Sequence, residues 1–265
     1  MNRIEATFKR LKASRKKAFI AFITAGFPDL AHTEKLILAL EANGADIIEL
    51  GIPFSDPVAD GAVIQEASLW ALERNKVNLL GVLKLVKKIR QKTNIPICFM
   101  SYYNPIFIFG EERFLRQAKT CGVDALIIPD LPFEEARGLS AIARRLNVDI
   151  INFVAPNTDL ERIKIISRLA RGFIYYISLT GTTGARQSLP ADLAAHIQKV
   201  KNLCAKPVCV GFGVSTPAQV KLVSKVADGV IVGSAIVKKI KENIGRPDLV
   251  KRVSRFVASL ASNCK

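Results

Sequence analysis

The chain alternates between short, nearly continuous apolar runs and longer segments whose apolar residues recur every three to four positions. Eight runs of the first kind stand at 18–25, 46–52, 95–100, 125–129, 150–154, 173–178, 208–212 and 229–232, and they are rich in Ile, Val and Phe. Strands read this way when both faces are buried, as in a parallel sheet covered by helices. Helix-patterned segments lie between them, among them 30–42, 79–89, 134–145, 160–169, 190–200, 217–223 and 235–240, with a last one at 249–260. A further stretch at 4–11, apolar at Ile4, Phe8 and Leu11, precedes the first strand and is placed to cover one end of the fold. Eight strand–helix pairs are the count of an α/β protein of the (β/α)8 TIM-barrel class, here with an extra N-terminal helix. The open doubly wound alternative usually has fewer strands and a glycine-rich first turn, whereas the first turn here reads TAGFPD. No linker rich in Pro, Gly or Ser divides the chain, so residues 1–265 are expected to form one domain.

Composition narrows the function more by exclusion than by selection. Apolar residues make up 49 % of the chain, ample for a large core. The formal charge is +16, which raises nucleic-acid binding as a possibility. The cations are spread, however, and many fall on helix-patterned segments: Lys84, Lys87, Lys88 and Arg90; Lys199 and Lys201; Lys238, Lys239 and Lys241. The expected reading is a solvated helix exterior with a general attraction for anions, and no nucleic-acid partner. The five cysteines are odd in number and lack metal-ligand spacing; Cys98 and Cys209 sit in apolar runs as buried thiols. That usage fits a reducing, cytoplasmic location. The first twenty residues hold no secretory apolar core, and no run approaches a membrane span. His32 and His196 lie in helix-like sequence and read as surface or packing residues, so no metal is expected.

Barrel enzymes work at the C-terminal ends of their strands. Glu49 stands in DIIELGI with Ile47, Ile48, Leu50 and Ile52 around it. A carboxylate in such a run is costly unless it is solvated, paired or used, and desolvation would suit it to proton transfer. Asp56 and Asp60 follow in GIPFSDPVADG, on a loop stiffened by Pro53 and Pro57. Either acid could be catalytic, and either could stabilise a turn. After the seventh run, Gly211 and Gly213 permit close backbone approach, and Thr216 with Pro217 reads as the start of a helix. After the eighth, Gly233 and Ser234 can open a helix whose N–H groups face an anion. Together these suggest a phosphate site. Phe22, Phe153 and Phe212 are candidates for an apolar wall, with Tyr102, Asn104, Asp130 and Tyr175 as polar groups near the mouth. A ring at one end and a phosphate at the other is the implied substrate shape. Residues 179–189 are rich in Gly, Thr and Ser and read as a mobile lid.

These motifs, IELGIPFSDPVADG at 48–61 together with FITAGFPD, MSYYNPI, PDLPFEE, TGTTGAR and GFGVSTPAQV in that order, resemble the tryptophan synthase alpha chain family over essentially the whole length. The resemblance implies a lyase that cleaves indole-3-glycerol phosphate to indole and D-glyceraldehyde 3-phosphate. It places the catalytic acids on Glu49 and Asp60, and substrate contacts on Phe22, Ile64, Tyr175, Thr183 and Phe212. The phosphate positions it implies are Gly184, Gly213, Gly233 and Ser234. It also implies an α2β2 assembly with a tryptophan synthase beta chain that carries pyridoxal phosphate, none being expected in this chain. Residues 53–60 would face that partner, and Thr183 would meet Asp60 on lid closure. Phe27, Ala62, Leu179 and Thr182 depart from the commonest family pattern.

Overall fold

The computed structural model describes residues 2–177, 193–211 and 213–264. Expectations for Leu179, Thr182, Thr183, Gly184, Phe212 and the segment 179–189 lie outside the described residues.

Eight parallel strands pair in chain order and close on themselves. They are β1 Ala18–Thr24, β2 Ile47–Gly51, β3 Ile97–Met100, β4 Ala125–Ile127, β5 Asp149–Val154, β6 Ile174–Ile177, β7 Val208–Gly211 and β8 Gly229–Val232. The closure is made by β1, which pairs with β2 on one side and β8 on the other. Several apolar runs extend past their strands: Ile52, Ile95 and Ile128 are buried just beyond them, with the Ile52 N–H still bonding the Met100 carbonyl at 2.8 Å. Hydrophobicity reports burial, and at a barrel rim burial outlasts strand geometry.

The surrounding helices are α1 Arg3–Ala13, α2 Leu30–Ala42, α3 Ala62–Glu73, α4 Leu79–Ile89, α5 Tyr103–Phe109, α6 Glu111–Cys121, α7 Arg137–Arg145, α8 Leu160–Leu169, α9 Leu193–Leu203, α10 Pro217–Ser224, α11 Ser234–Lys241 and α12 Leu249–Ala261. Their starts follow capping chemistry. Asp29, Asn78, Asp159 and Thr216 each accept the backbone N–H three residues on, which satisfies an orphan donor of the first turn. Thr216 belongs to a full capping box with Gln219, and Pro217 takes the first helical position, as expected. β2, β3 and β8 are each followed by two helices, and after β3 Gly110 at φ 88 breaks the helical path between α5 and α6. None of the described helices is long and apolar enough to cross a membrane.

The expected N-terminal helix closes the barrel end where the strands begin. Ile4 of α1 is fully buried, and Phe8 packs on Phe173 with ring centroids 5.9 Å apart. Asn2 bonds Asp149, Arg3 bonds Asp124 at 3.0 Å and Arg10 bonds Asp46 at 3.1 Å. Asp46, Asp124 and Asp228 also accept the N–H of Phe19, Ile97 and Val208, respectively, at 3.1, 2.9 and 3.0 Å. These acids therefore fasten strand starts. Arg90, expected on a solvated face, lies inside this network: it bonds the carbonyls of Gly122 and Ile95 and pairs with Asp124 at 2.8 Å. A helix-surface pattern did not distinguish it from its neighbours Lys87 and Lys88. With one end sealed, a small molecule can enter only at the other.

Candidate active site

Alternation along β2 points Glu49 into the barrel, beside Phe22 of β1 and Cys98 of β3 in the strand register. Only 1 % of Glu49 is exposed, and neither carboxylate oxygen has a hydrogen-bond partner among the described residues. Burial, and then the nearby Asp60 charge, push its carboxyl up to about 8. It therefore holds its proton at neutral pH and can release it over an accessible range.

The two loop acids separate cleanly. Asp56 is exposed and takes a local bond from the Ser55 hydroxyl. Asp60 is 4 % exposed. Its backbone N–H bonds the carbonyl of Pro57 at 2.9 Å, and its carbonyl accepts from Gln65 Nε2 at 2.9 Å. The Tyr102 hydroxyl donates to Asp60 Oδ2 at 2.9 Å and accepts the Ala59 N–H at 3.0 Å. Phe54 stacks on the Tyr102 ring with centroids 5.2 Å apart. Burial raises Asp60 to about 6, and the Tyr102 bond opposes that rise. Two interior carboxyls thus ionise in sequence, Asp60 before Glu49, the separation needed when one must be a carboxylate while the other carries a proton.

Phe22, Glu49, Asp60, Ile64, Tyr175, Gly213, Gly233 and Ser234 all line one cleft at the C-terminal ends of the strands. Tyr175 of β6 lies against Gly211 of β7, where a Cβ would come within 2.5 Å of the phenol oxygen, so only glycine leaves the ring its place. Phe22 likewise uses the space over Gly51, where a Cβ would stand 2.7 Å from its ring. Phe153 packs against Tyr175 at 5.0 Å between centroids. Gly233 is the N-cap of α11, and Ser234 begins it, so the first N–H groups of that helix open into the cleft. Gly213, at φ 84, takes a backbone shape that a side chain would strain.

Sequence reasoning did not single out Met100, Val214, Ser215, Ile231 or Ala235, which complete the lining. Each is a neighbour of a chosen residue or sits at a strand end, so strand register was the available signal. Asp130, a mouth candidate, instead accepts the Tyr103 N–H at the start of α5. Phe27 is buried edge-on to Trp70, outside the cleft. Ala62 holds the first position of α3, where proline also fits. Among the described residues no three His, Cys, Asp or Glu side chains gather to hold a metal ion.

The chain as a whole is similar to known proteins. The family model described as tryptophan synthase alpha chain matches residues 8–264. The tryptophan synthase alpha chain of Geotalea daltonii is 48 % identical over 260 residues, 98 % of each chain. That of a Thermoanaerobacter species is 45 % identical over 260 residues, again 98 % of each. Among solved structures, the alpha chain from Legionella pneumophila has a TM-score of 0.92 at 37 % identity, covering 100 % of this chain and 97 % of that one. A chain of the tryptophan synthase complex from Pyrococcus furiosus has a TM-score of 0.85 at 39 % identity, covering 93 % and 99 %. This chain belongs to the tryptophan synthase alpha chain family.

Proposed function

We propose that the chain is an indole-3-glycerol-phosphate lyase, with Glu49 as its acid–base and Asp60 as the carboxylate that supports the indole ring. The observation that carries this reading is Glu49, buried in the cleft with both oxygens unpartnered and its carboxyl raised to about 8. A group in that state is a proton donor held ready and deprived of competing bonds. It delivers its proton to indole C3, and the ring becomes an indolenine cation. The bond from C3 to the glycerol side chain then breaks by a retro-aldol step. Its electron pair restores the indole, while the side-chain hydroxyl becomes the aldehyde carbonyl and returns a proton to Glu49. Asp60 accepts the ring N–H and offsets the positive charge that develops there. The Tyr102 bond favours the ionised form it needs.

Phe22, Ile64 and Tyr175 supply apolar walls for the ring. Backbone at Gly213, Gly233 and Ser234 receives the phosphate, with Gly184, Thr183 and Phe212 completing the substrate set carried over from the family. The partner in this reading is a tryptophan synthase beta chain in an α2β2 assembly. Pyridoxal phosphate would belong to that chain, where the released indole would be joined to serine, with loss of water, to give L-tryptophan. Val58, Phe107 and Ile108, exposed by 73 %, 63 % and 76 %, support an interface on the loop after β2 and on α5.

Glu49→Gln should still bind substrate while turnover is abolished, and Asp60→Asn should lower kcat by several orders of magnitude. Near-normal turnover of the first, or a loss of tenfold or less in the second, removes the corresponding role.

A further inference from the structure

The charge of +16 is not evenly spent. At the sealed end of the barrel a groove of about 730 Å³ runs between the C-terminal end of α1, the lead into β1 and the segment before β7. Apolar residues Phe8, Leu11, Cys204, Ala205 and Pro207 line it, and among the described residues Asp228 is its only acid. Lys201 and Lys17 share that acid at 2.7 and 3.6 Å, and Lys206 faces Glu5 at 3.9 Å. Lys9, Lys12, Arg15 and Lys16 also line the groove, are exposed, and have no acidic partner among the described residues.

The helix dipole explains a cation in the last turn of α1, such as Lys12. It does not explain Arg15. The chain leaves α1 through a Schellman turn: Lys16 N–H bonds the Leu11 carbonyl at 2.9 Å and Arg15 N–H the Lys12 carbonyl at 3.1 Å. Arg15 holds the left-handed position at φ 55, where glycine is the favoured residue. A cation thus holds a left-handed position here, as Lys76 does elsewhere at φ 49, and the turn brings Arg15 and Lys16 back beside Lys12. A single phosphate is small for this groove and would leave most of its cations unpaired. An extended chain of phosphates would span them and relieve their mutual repulsion.

We propose that this groove is a second anion site, remote from the lyase cleft, that takes an oligophosphate of three or more charges. It is tested by calorimetric titration of the full chain with tripolyphosphate and, separately, with inorganic phosphate and duplex DNA. Tripolyphosphate should bind one-to-one and more tightly than phosphate, and weaken with salt. The double variant K12E/K16E should lose about tenfold or more in affinity. A control of equal charge change on outer helix faces, K84E/K221E, should stay within about twofold. Arg15→Gly should weaken binding and yet raise Tm, a pairing that a purely structural role for Arg15 does not produce. The proposal is overturned if both double variants lose affinity equally, since bulk charge then suffices. It also fails if tripolyphosphate binds no better than phosphate, or if duplex DNA binds more tightly through the same lysines, which would mark a nucleic-acid surface.

Discussion

Burying Glu49 without a partner must cost stability, and the cost must depend on pH. The carboxyl ionises near 4.5 when unperturbed and at about 8 in the barrel. Below pH 4.5 both the folded and unfolded states are protonated, and no penalty exists. Between the two values the unfolded chain sheds its proton first, so the folded state weakens as pH rises. Above about 8 both states are ionised and the penalty levels off. At 1.36 kcal/mol for each tenfold step, the full penalty is about 5 kcal/mol, of which about 3 kcal/mol develops between pH 5 and pH 8. Glu49→Gln keeps the side-chain size and removes the titration. Its amide donors also need partners, but that cost is the same at both pH values. Urea unfolding of both proteins at pH 5 and pH 8 isolates the difference, because the other titrating groups largely cancel in it. The variant should gain about 3 kcal/mol on the parent between the two pH values. A difference that is flat to within about 1 kcal/mol would show that Glu49 ionises as an ordinary carboxyl, and the acid–base assignment would lose its physical basis.

The same ordering of carboxyls sets the pH–rate profile. Activity requires ionised Asp60 and protonated Glu49, so kcat/KM should rise through about pH 6 and fall through about pH 8; a flat profile from 5 to 9 contradicts this. Tyr102→Phe removes a hydrogen bond to a charged group, generally about 1.5–3 kcal/mol. It should lower kcat by roughly 10- to 100-fold with little change in KM, and move the acid limb upward; an unmoved limb means Tyr102 does not tune Asp60. Gly211→Ala places a methyl against the Tyr175 ring and should raise KM and destabilise by about 1–3 kcal/mol, read by kinetics and thermal melting. Arg90→Ala leaves Asp124 with Arg3 and the Ile97 N–H and takes the donor from the Gly122 and Ile95 carbonyls, and should cost about 1–3 kcal/mol in urea unfolding; no measurable loss would show that these groups are satisfied without it.

The barrel was legible because parallel strands buried on both faces write long apolar runs, and helices with Asp, Asn or Thr caps write their own beginnings. Glu49 stood out as a charge inside such a run. Residue chemistry alone did not separate the roles of Asp56 and Asp60, since both lie on one loop on either side of Pro57, and only the family resemblance favoured Asp60. What separates them is distance to Tyr102, a contact across 42 positions of chain. Arg90 was misread for a related reason. Its helix face looks like that of Lys88, and only the three-dimensional meeting with Asp124, Gly122 and Ile95 takes it out of solvent. Gly211 was noted for backbone approach to a ligand, whereas it also makes room for a ring on the neighbouring strand. Local pattern reports which residues are buried; long-range pairing decides what they do there.

The central claim is tested most directly by release of indole from indole-3-glycerol phosphate by the purified chain, alone and with a tryptophan synthase beta chain. The expected result is equimolar indole and glyceraldehyde 3-phosphate, with a rate that rises when the beta chain is added and vanishes in Glu49→Gln. No indole in either condition, from a folded protein that binds the substrate, would contradict it.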